Sequence, residues 1–527
     1  MTGTAEPDAA ELNDDGKWLA FSAIGIAFVT NVAAWGMVFV SLPSIAEDFG
    51  ISLRSVAWVV IAQSLVISSL MLPMGRVADM TGRRRMHLTG LTLFGVGAAS
   101  VALAPGFGLV IAARVIMAVG NAMMQSVGTA MVVAVFPDEE RGKAIGSQTT
   151  AVAVGGASGP ILGGLILQVL PWRALFVLLL LPVCVALVFG YLVLDEEKVS
   201  PVGDRRKVGF DWGGATLSGL MVIILVLTIN NPTGLAWGSP LILGGVIASA
   251  GLFAAWVRWE LHTEQPMLEL RLFRNRVFSF AVGARYVGFM GGTFVSFLAP
   301  VLLISLRQME AAAAGGVMFL NAVGLGVAAQ ISGRLSDRFG SRPFSAAGFV
   351  LHLTVALVLS TAAESTPLVV VMLLMFGAGL SVGLWNVPNN STIMGSMPPS
   401  RHGVIGAFTN LVRNLGNVTG QALASAIVVG VMVSRGFDIP LDEISESAAA
   451  GDAFLGGWRW TFRISAALAL AGLVLTVVAP SPSERRVEPS AGEEDSVAEK
   501  SPATEGDPAV EERPVADGSM RSGPVTP

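Results

Sequence analysis

Fourteen apolar runs, each about twenty residues or longer, constrain this chain more than any other feature. They fall at about 18–41, 55–74, 86–104, 108–135, 145–167, 174–194, 212–230, 239–257, 277–305, 311–333, 344–362, 367–395, 403–434 and 458–479. A helix rises about 1.5 Å per residue, so each run is long enough to cross the roughly 30 Å of hydrocarbon in a bilayer. Only 13% of the residues are charged and the mean hydropathy is +0.67. A soluble domain carries about 25% charge, so a soluble protein is excluded. The ten-residue alternation of an outer-membrane barrel is absent. The chain reads as an all-α polytopic membrane protein.

The net charge of −5 hides three regions. Residues 1–17 hold five acids and one lysine, and residues 481–527 hold 11 acids and 5 bases, so the stretch between them is +5. The tail is rich in Pro, Ser, Glu and Gly without apolar periodicity, and is expected to be disordered. The acidic head and the long first run predict a retained membrane helix rather than a cleaved signal. With the head in the cytoplasm, the inner loops hold 18 Arg and Lys residues and the outer loops five. That bias places both termini inside, in the plasma membrane. Nine of the eleven tryptophans, Trp172, Trp256 and Trp458 among them, fall near run ends, where amphipathic rings prefer to sit. One cysteine, Cys184, and four scattered histidines offer no disulfide framework, metal cluster or nucleophile constellation, so no enzyme is expected.

The chain also repeats itself. Gly75-Arg76-Val77-Ala78-Asp79-Met80-Thr81-Gly82-Arg83-Arg84 returns 258 residues later as Gly333-Arg334-Leu335-Ser336-Asp337-Arg338-Phe339-Gly340-Ser341-Arg342. Arg141-x3-Ile145-Gly146 returns as Arg401-x3-Ile405-Gly406. Two six-helix bundles in the same orientation follow, at 18–194 and 277–479. Residues 195–276 form a linker with two inserted helices. Parallel halves around a midplane site are a carrier architecture. In each repeated joint a carboxylate lies among arginines beside glycines. It can pair with an arginine or accept from the first amides of a neighbouring helix, a bond weak enough to open when water enters.

This joint resembles the loop signature of the major facilitator superfamily, Gly-x-Leu-Ala-Asp-Arg-x-Gly-Arg-Arg. Gly155-x3-Gly159-Pro160-x2-Gly163-Gly164 in the fifth run resembles the antiporter motif of its exporters. Small residues four apart let two helices approach closely. Fourteen runs, Trp172-Arg173 and Phe210-Asp211-Trp212-Gly213 resemble the fourteen-helix drug/proton antiporter branch over about 18–480. The resemblance implies alternating access, a cytoplasmic gate built from both repeated joints, and the proton gradient as energy source with no cofactor. It departs where the branch carries Asp, Thr and Asn before a Leu-Pro pair; here Ala34, Gly36 and Phe39 stand before Leu42-Pro43. In the fourth run Met117-Ala118 replaces the branch's Gln-Gly. No acid lies inside any run, so proton exchange falls to Asp79, Asp337, the edge acids Asp211 and Glu310, or His352. A lone membrane histidine such as His352 otherwise bridges helices.

Polar residues inside the runs avoid lipid, so they face protein or water. Arg114, Asn121 and Gln125 share one face of the fourth run. The thirteenth run carries Asn410, Arg413, Asn414, Asn417 and Gln421, and the twelfth Trp385, Asn386, Asn389 and Asn390. By resemblance the first, fourth, ninth and twelfth runs line the path, which adds Trp35 and Arg285; Gln63 is a further candidate. Arginines without an acid would favour a neutral or anionic amphiphile, and Arg114→Ala is expected to abolish transport without lowering abundance. The expected partners are such a small molecule and the bilayer, with no nucleic acid, and the expected state is a monomer. The leading reading is a secondary exporter. An inward or uncoupled carrier, and a carrier-derived sensor that binds without transporting, are the alternatives.

Overall fold

The computed structural model describes residues 14–199, 209–231, 235, 238–397, 401–437, 439, 444 and 447–480. The expected acidic tail beyond Pro480 and the first thirteen residues of the head lie outside the described residues.

Fourteen helices are long and apolar enough to span a membrane. They are α1 (Asp14–Phe49), α2 (Trp58–Thr81), α3 (Arg83–Leu103), α4 (Phe107–Val135), α5 (Arg141–Leu167), α6 (Arg173–Val193) and α7 (Trp212–Asn230). Then follow α8 (Pro240–His262), α9 (Arg276–Pro300), α10 (Ala311–Phe339), α11 (Ser341–Leu359), α12 (Leu368–Gly395), α13 (His402–Ser434) and α14 (Ala448–Val478). The all-α architecture read from the apolar runs is what the chain adopts. Local chemistry sets several starts. Asp211 accepts from the Gly214 amide to cap α7, Ser239 caps α8 with Pro240 in its first turn, and Asn275 accepts from the Val277 and Phe278 amides to cap α9.

Several boundaries differ from the apolar pattern. α2 continues through Thr81 and α10 through Phe339, so Asp79 and Asp337 project from the last helical turn and not from a loop. At each break a glycine, Gly82 (φ +102°) or Gly340 (φ +84°), adopts the left-handed backbone that makes the corner. α14 starts ten residues before its expected apolar run. α9 ends in a π-helical turn over Val301–Leu306 after Pro300 removes an amide donor.

α1 to α6 pack on one another and α9 to α14 on one another, with the α7–α8 hairpin laid against α2. Within the first group α5 grips α1. A methyl on Gly155 would stand 2.6 Å from the Val29 carbonyl, one on Gly163 3.0 Å from Met37 Cα, and Gly159 is equally tight against Ala33. Gly36 receives the Pro160 ring, 2.5 Å from where its Cβ would stand. A branched side chain at Gly36 would not fit, which gives that departure from the family pattern a packing reason. Gly164 has open space around it and takes no part in this contact.

The tryptophan belt holds for Trp212, Trp259 and Trp460, which are exposed. Trp172, Trp256 and Trp458 are buried instead. Trp458 donates to the Leu359 carbonyl at 2.7 Å and Trp172 to Asp48 at 3.2 Å. An indole N–H inside protein takes the acceptor that interfacial water would otherwise supply.

Candidate functional site

The two groups of helices meet along α5–α10 and α2–α13 at the end of the molecule that carries Gly82 and Gly340. At this motif end Asp337 accepts from the Gly142 amide at 2.7 Å and the Lys143 amide at 2.9 Å, both in the first turn of α5. Asp79 faces the Val404 amide and presses on Gly403, in the first turn of α13. Each carboxylate thus meets the positive start of a helix in the opposite half. Gly75 packs on Ala407 and Gly333 on Gly142, so the partners close without side chains between them. Gln330 bonds Thr150 at 3.0 Å along the α5–α10 seam. An apolar plug of Val133, Ile145, Phe278, Ala329, Ile405 and Val412 fills the space between the seams.

The arginines of the two joints are placed differently. Arg83 is 4% exposed, lies 3.9 Å from Asp79 and donates to the Val199 carbonyl. Arg84 donates to the Tyr191 carbonyl at 2.8 Å, and Arg76 is half-buried. Arg334 and Arg342 are exposed.

Above the plug, a polar network joins the halves. Gln125 Nε2 donates to Asn121 Oδ1 at 2.7 Å. Gln125 Oε1 accepts from Arg413 Nη2 at 2.9 Å, and its backbone carbonyl accepts from Asn410 Nδ2 at 2.9 Å. Arg285 donates to the Thr409 carbonyl at 3.0 Å and to Asn386 Oδ1 at 2.8 Å, with its guanidinium 5.1 Å from the Phe289 ring. Arg285 and Arg413 are near enough to repel each other. Among the described residues no carboxylate reaches ion-pair distance of either. A buried Arg285 and a half-buried Arg413 held only by neutral acceptors create a demand for an anion or a strong dipole.

The remaining sequence candidates separate into three groups. Asn417 accepts from Thr293 at 2.8 Å and lines a cavity of about 170 Å³ inside the second bundle, with Asn321, His352 and Ser465. Asn414 is half-buried one turn away. His352 bonds Ser465 at 3.1 Å, the helix-bridging role, while its Nδ1 has no partner. Trp35 is half-buried among Met71, Ala118 and Leu411, and Gln63 is buried with its Oε1 unpartnered.

Three candidates lie apart from the network. Trp385 is buried, stacked on Phe349 at 5.1 Å over Gly288, and Asn389 donates to the Ala281 carbonyl at 2.9 Å. Both are internal to the second bundle. Arg114 is 1% exposed inside the first bundle, where it donates to the Val59 carbonyl at 3.4 Å and lies 6.0 Å from the Phe176 ring. The structure does not bring Arg114 to Gln125.

One residue escaped the sequence reading. His87 is 1% exposed with both ring nitrogens unpartnered. With Asn31 and Gln125 it lines a void of about 10 Å³, close to the size of one water.

A model of the Major Facilitator Superfamily matches residues 24–421, about three quarters of the chain. The chain belongs to that superfamily. It is 29% identical over 464 residues to the riboflavin transporter RibZ of Clostridioides difficile, covering 88% of this chain and 97% of RibZ. It is 28% identical over 451 residues to the multidrug efflux pump LfrA of Mycolicibacterium smegmatis, covering 84% and 86%. The methyl viologen resistance protein SmvA of Salmonella typhimurium is 27% identical over 424 residues, covering 80% and 83%. Among solved structures, the proton:xylose symporter XylE aligns over 89% of this chain and 97% of its own with a TM-score of 0.62 at 13% identity. The human organic anion transporter MFSD10 aligns over 86% and 99% with a TM-score of 0.59 at 16% identity. At those identities the likeness shows the fold alone. The protein is a multi-pass membrane transporter of this superfamily and not an enzyme.

Proposed function

We propose that this carrier is a proton-driven exporter of neutral or anionic amphiphiles in the plasma membrane, with the motif end and both termini in the cytoplasm. The observation that carries the reading is the Arg413–Gln125 bridge beside Arg285, a cationic network between the halves without a carboxylate. A ligand entering between α4 and α13 would exchange the Gln125 bond for its own acceptor on Arg413, and its apolar body would meet Trp35 and Phe289. The chain is in a motif-end-closed state, the form in which such a carrier discharges outward. The intact Gly155–Gly164 motif and the likeness to LfrA and SmvA support export. The likeness to RibZ, a riboflavin transporter, supports a flat, polar-edged substrate, and inward transport is the second reading.

The test uses purified full-length protein in sealed proteoliposomes with an imposed pH gradient, with riboflavin and methyl viologen as neutral and dicationic probes. Gradient-driven movement of riboflavin, reduced at least about tenfold by Arg413→Gln at unchanged protein abundance, is the expected result. Preference for methyl viologen would overturn the charge argument. Movement indifferent to the pH gradient would overturn proton coupling.

A further inference from the structure

The α7–α8 hairpin carries two acids that the transport network does not use. Asp211 is 8% exposed and Glu260 3%. The contacts that protein donors make with these carboxylates come from backbone amides and indoles. Asp211 Oδ1 accepts from the Gly214 amide at 2.8 Å and from Trp259 Nε1 at 2.9 Å, and Glu260 Oε2 accepts from the Leu268 amide at 3.3 Å. The Met267 amide and Trp256 also approach the Glu260 carboxylate. The two oxygens left without a donor are Asp211 Oδ2 and Glu260 Oε1. Both converge on one spot: a methyl on Gly214 would touch Asp211 Oδ2 and stand 2.8 Å from Glu260 Oε1.

Two carboxylates sharing a buried spot cannot both ionise without a cation to offset them. The described charged groups on the elements around the pair are exposed to solvent or engaged elsewhere. On α8 and beyond it, Arg258, His262, Glu264 and Arg271 are exposed. Glu269 pairs with Arg401 at 3.0 Å. On α2, Asp79 is held by α13 and Arg76 is half-buried; on α13, His402 bonds the Met394 and Met397 carbonyls. Arg205, Arg206 and Lys207 lie outside the described residues.

We infer that Asp211 and Glu260 form a one-proton site, with the proton shared between Asp211 Oδ2 and Glu260 Oε1. The site reports to the gate. Met267 and Leu268, whose amides Glu260 holds, are buried in the same apolar cluster as Met71, Leu72, Val404 and Ala407 on the α2–α13 seam. Loss of the proton sets two negative charges against each other beneath this strap and loosens it. The inserted hairpin is thereby a pH-responsive clamp on one of the two seams. The site stands whether or not the export reading is right, because its test requires no substrate.

Infrared spectra of the full chain in nanodiscs, recorded across pH, check it directly. A carboxylic-acid band present at neutral pH is expected to vanish in both Asp211→Asn and Glu260→Gln, and to persist in Glu310→Gln, which changes an exposed acid. Asparagine still caps a helix, so Asp211→Asn keeps the measurement open if Glu260→Gln fails to fold. Amide hydrogen exchange of 262–275 should lose protection as the wild-type band bleaches with rising pH, and should not follow pH in Glu260→Gln beyond the intrinsic exchange rate. A wild type with no such band, its pair ionised against a base, overturns the one-proton site, as does a band that survives both substitutions. An identical exchange profile in Glu260→Gln and wild type overturns the strap.

Discussion

The two latches come from the same ten-residue repeat, yet only one is embedded in the protein. Asp79 and Asp337 make the same contact, a carboxylate against the first amides of a helix across the seam. Around Asp79 the chain has added a buried Arg83, the Val199 carbonyl that accepts from it, and Glu196 lying over Gly82. Around Asp337 the arginines reach into solvent, Gly340 has open space, and Ser341 stands where the first copy has Arg83. What both copies keep is the carboxylate on the helix start; what differs among the described residues is the linker after α6, whose Glu196 and Val199 lie beside the first. In both copies the repeated acid makes the contact across the seam, and Arg83 of the first copy ties that joint to the linker.

That contrast can be broken in order of expected effect. Asp79→Asn removes one of the two carboxylates, Asp79 and Glu196, that offset the buried Arg83, and should favour motif-end opening by about 3 kcal/mol, against about 1.5 kcal/mol for Asp337→Asn, which loses only charge-assisted amide bonds. Spin-label distances between Arg85 and Arg342 positions, in a Cys184→Ser background, report the opening. Equal shifts from both variants would dissolve the distinction. Next, Arg83→Ala should lower thermal stability by about 2 kcal/mol, whereas Ser341→Ala should stay within roughly 0.5 kcal/mol, read from denaturation midpoints. The smallest effect is expected from Glu196→Gln. It should shift the same distance distribution by less than about 1 kcal/mol and leave the Asp337 latch untouched, and a larger shift would make Glu196 a latch member in its own right.

Much of this molecule was legible in its sequence, for physical reasons. Apolar run length sets helix number because hydrocarbon thickness is fixed, and an offset repeat requires related halves. Gly155, Gly159 and Gly163 announced a close helix contact through spacing alone, and their partner proved to be α1. Latch partners were not legible: Asp337 meets Gly142 and Lys143 some 195 residues earlier, and no local pattern encodes that. Arg114 shows why a shared face is weaker evidence than it looks. Seven residues separate it from Asn121, about 10 Å along the axis, and over that distance crossing helices exchange neighbours. Gln125 reaches α13 while Arg114 is enclosed by α2 and α6. Trp385 and Asn389 share a helix with Asn386, but only Asn386 meets Arg285. His87 went unread because its importance lies in what surrounds it, Asn31 and Gln125 from two other helices.

The grip of α5 on two partners has a mechanical outcome. One stretch of this helix is locked to α1 through Gly36 and Pro160, while its first turns are keyed to α10 through Gly142 and Asp337. When the α10 side lets go, α5 takes α1 with it as a single lever. The wall bearing Trp35 then swings in step with the release at the far end, and no separate signal has to run between them.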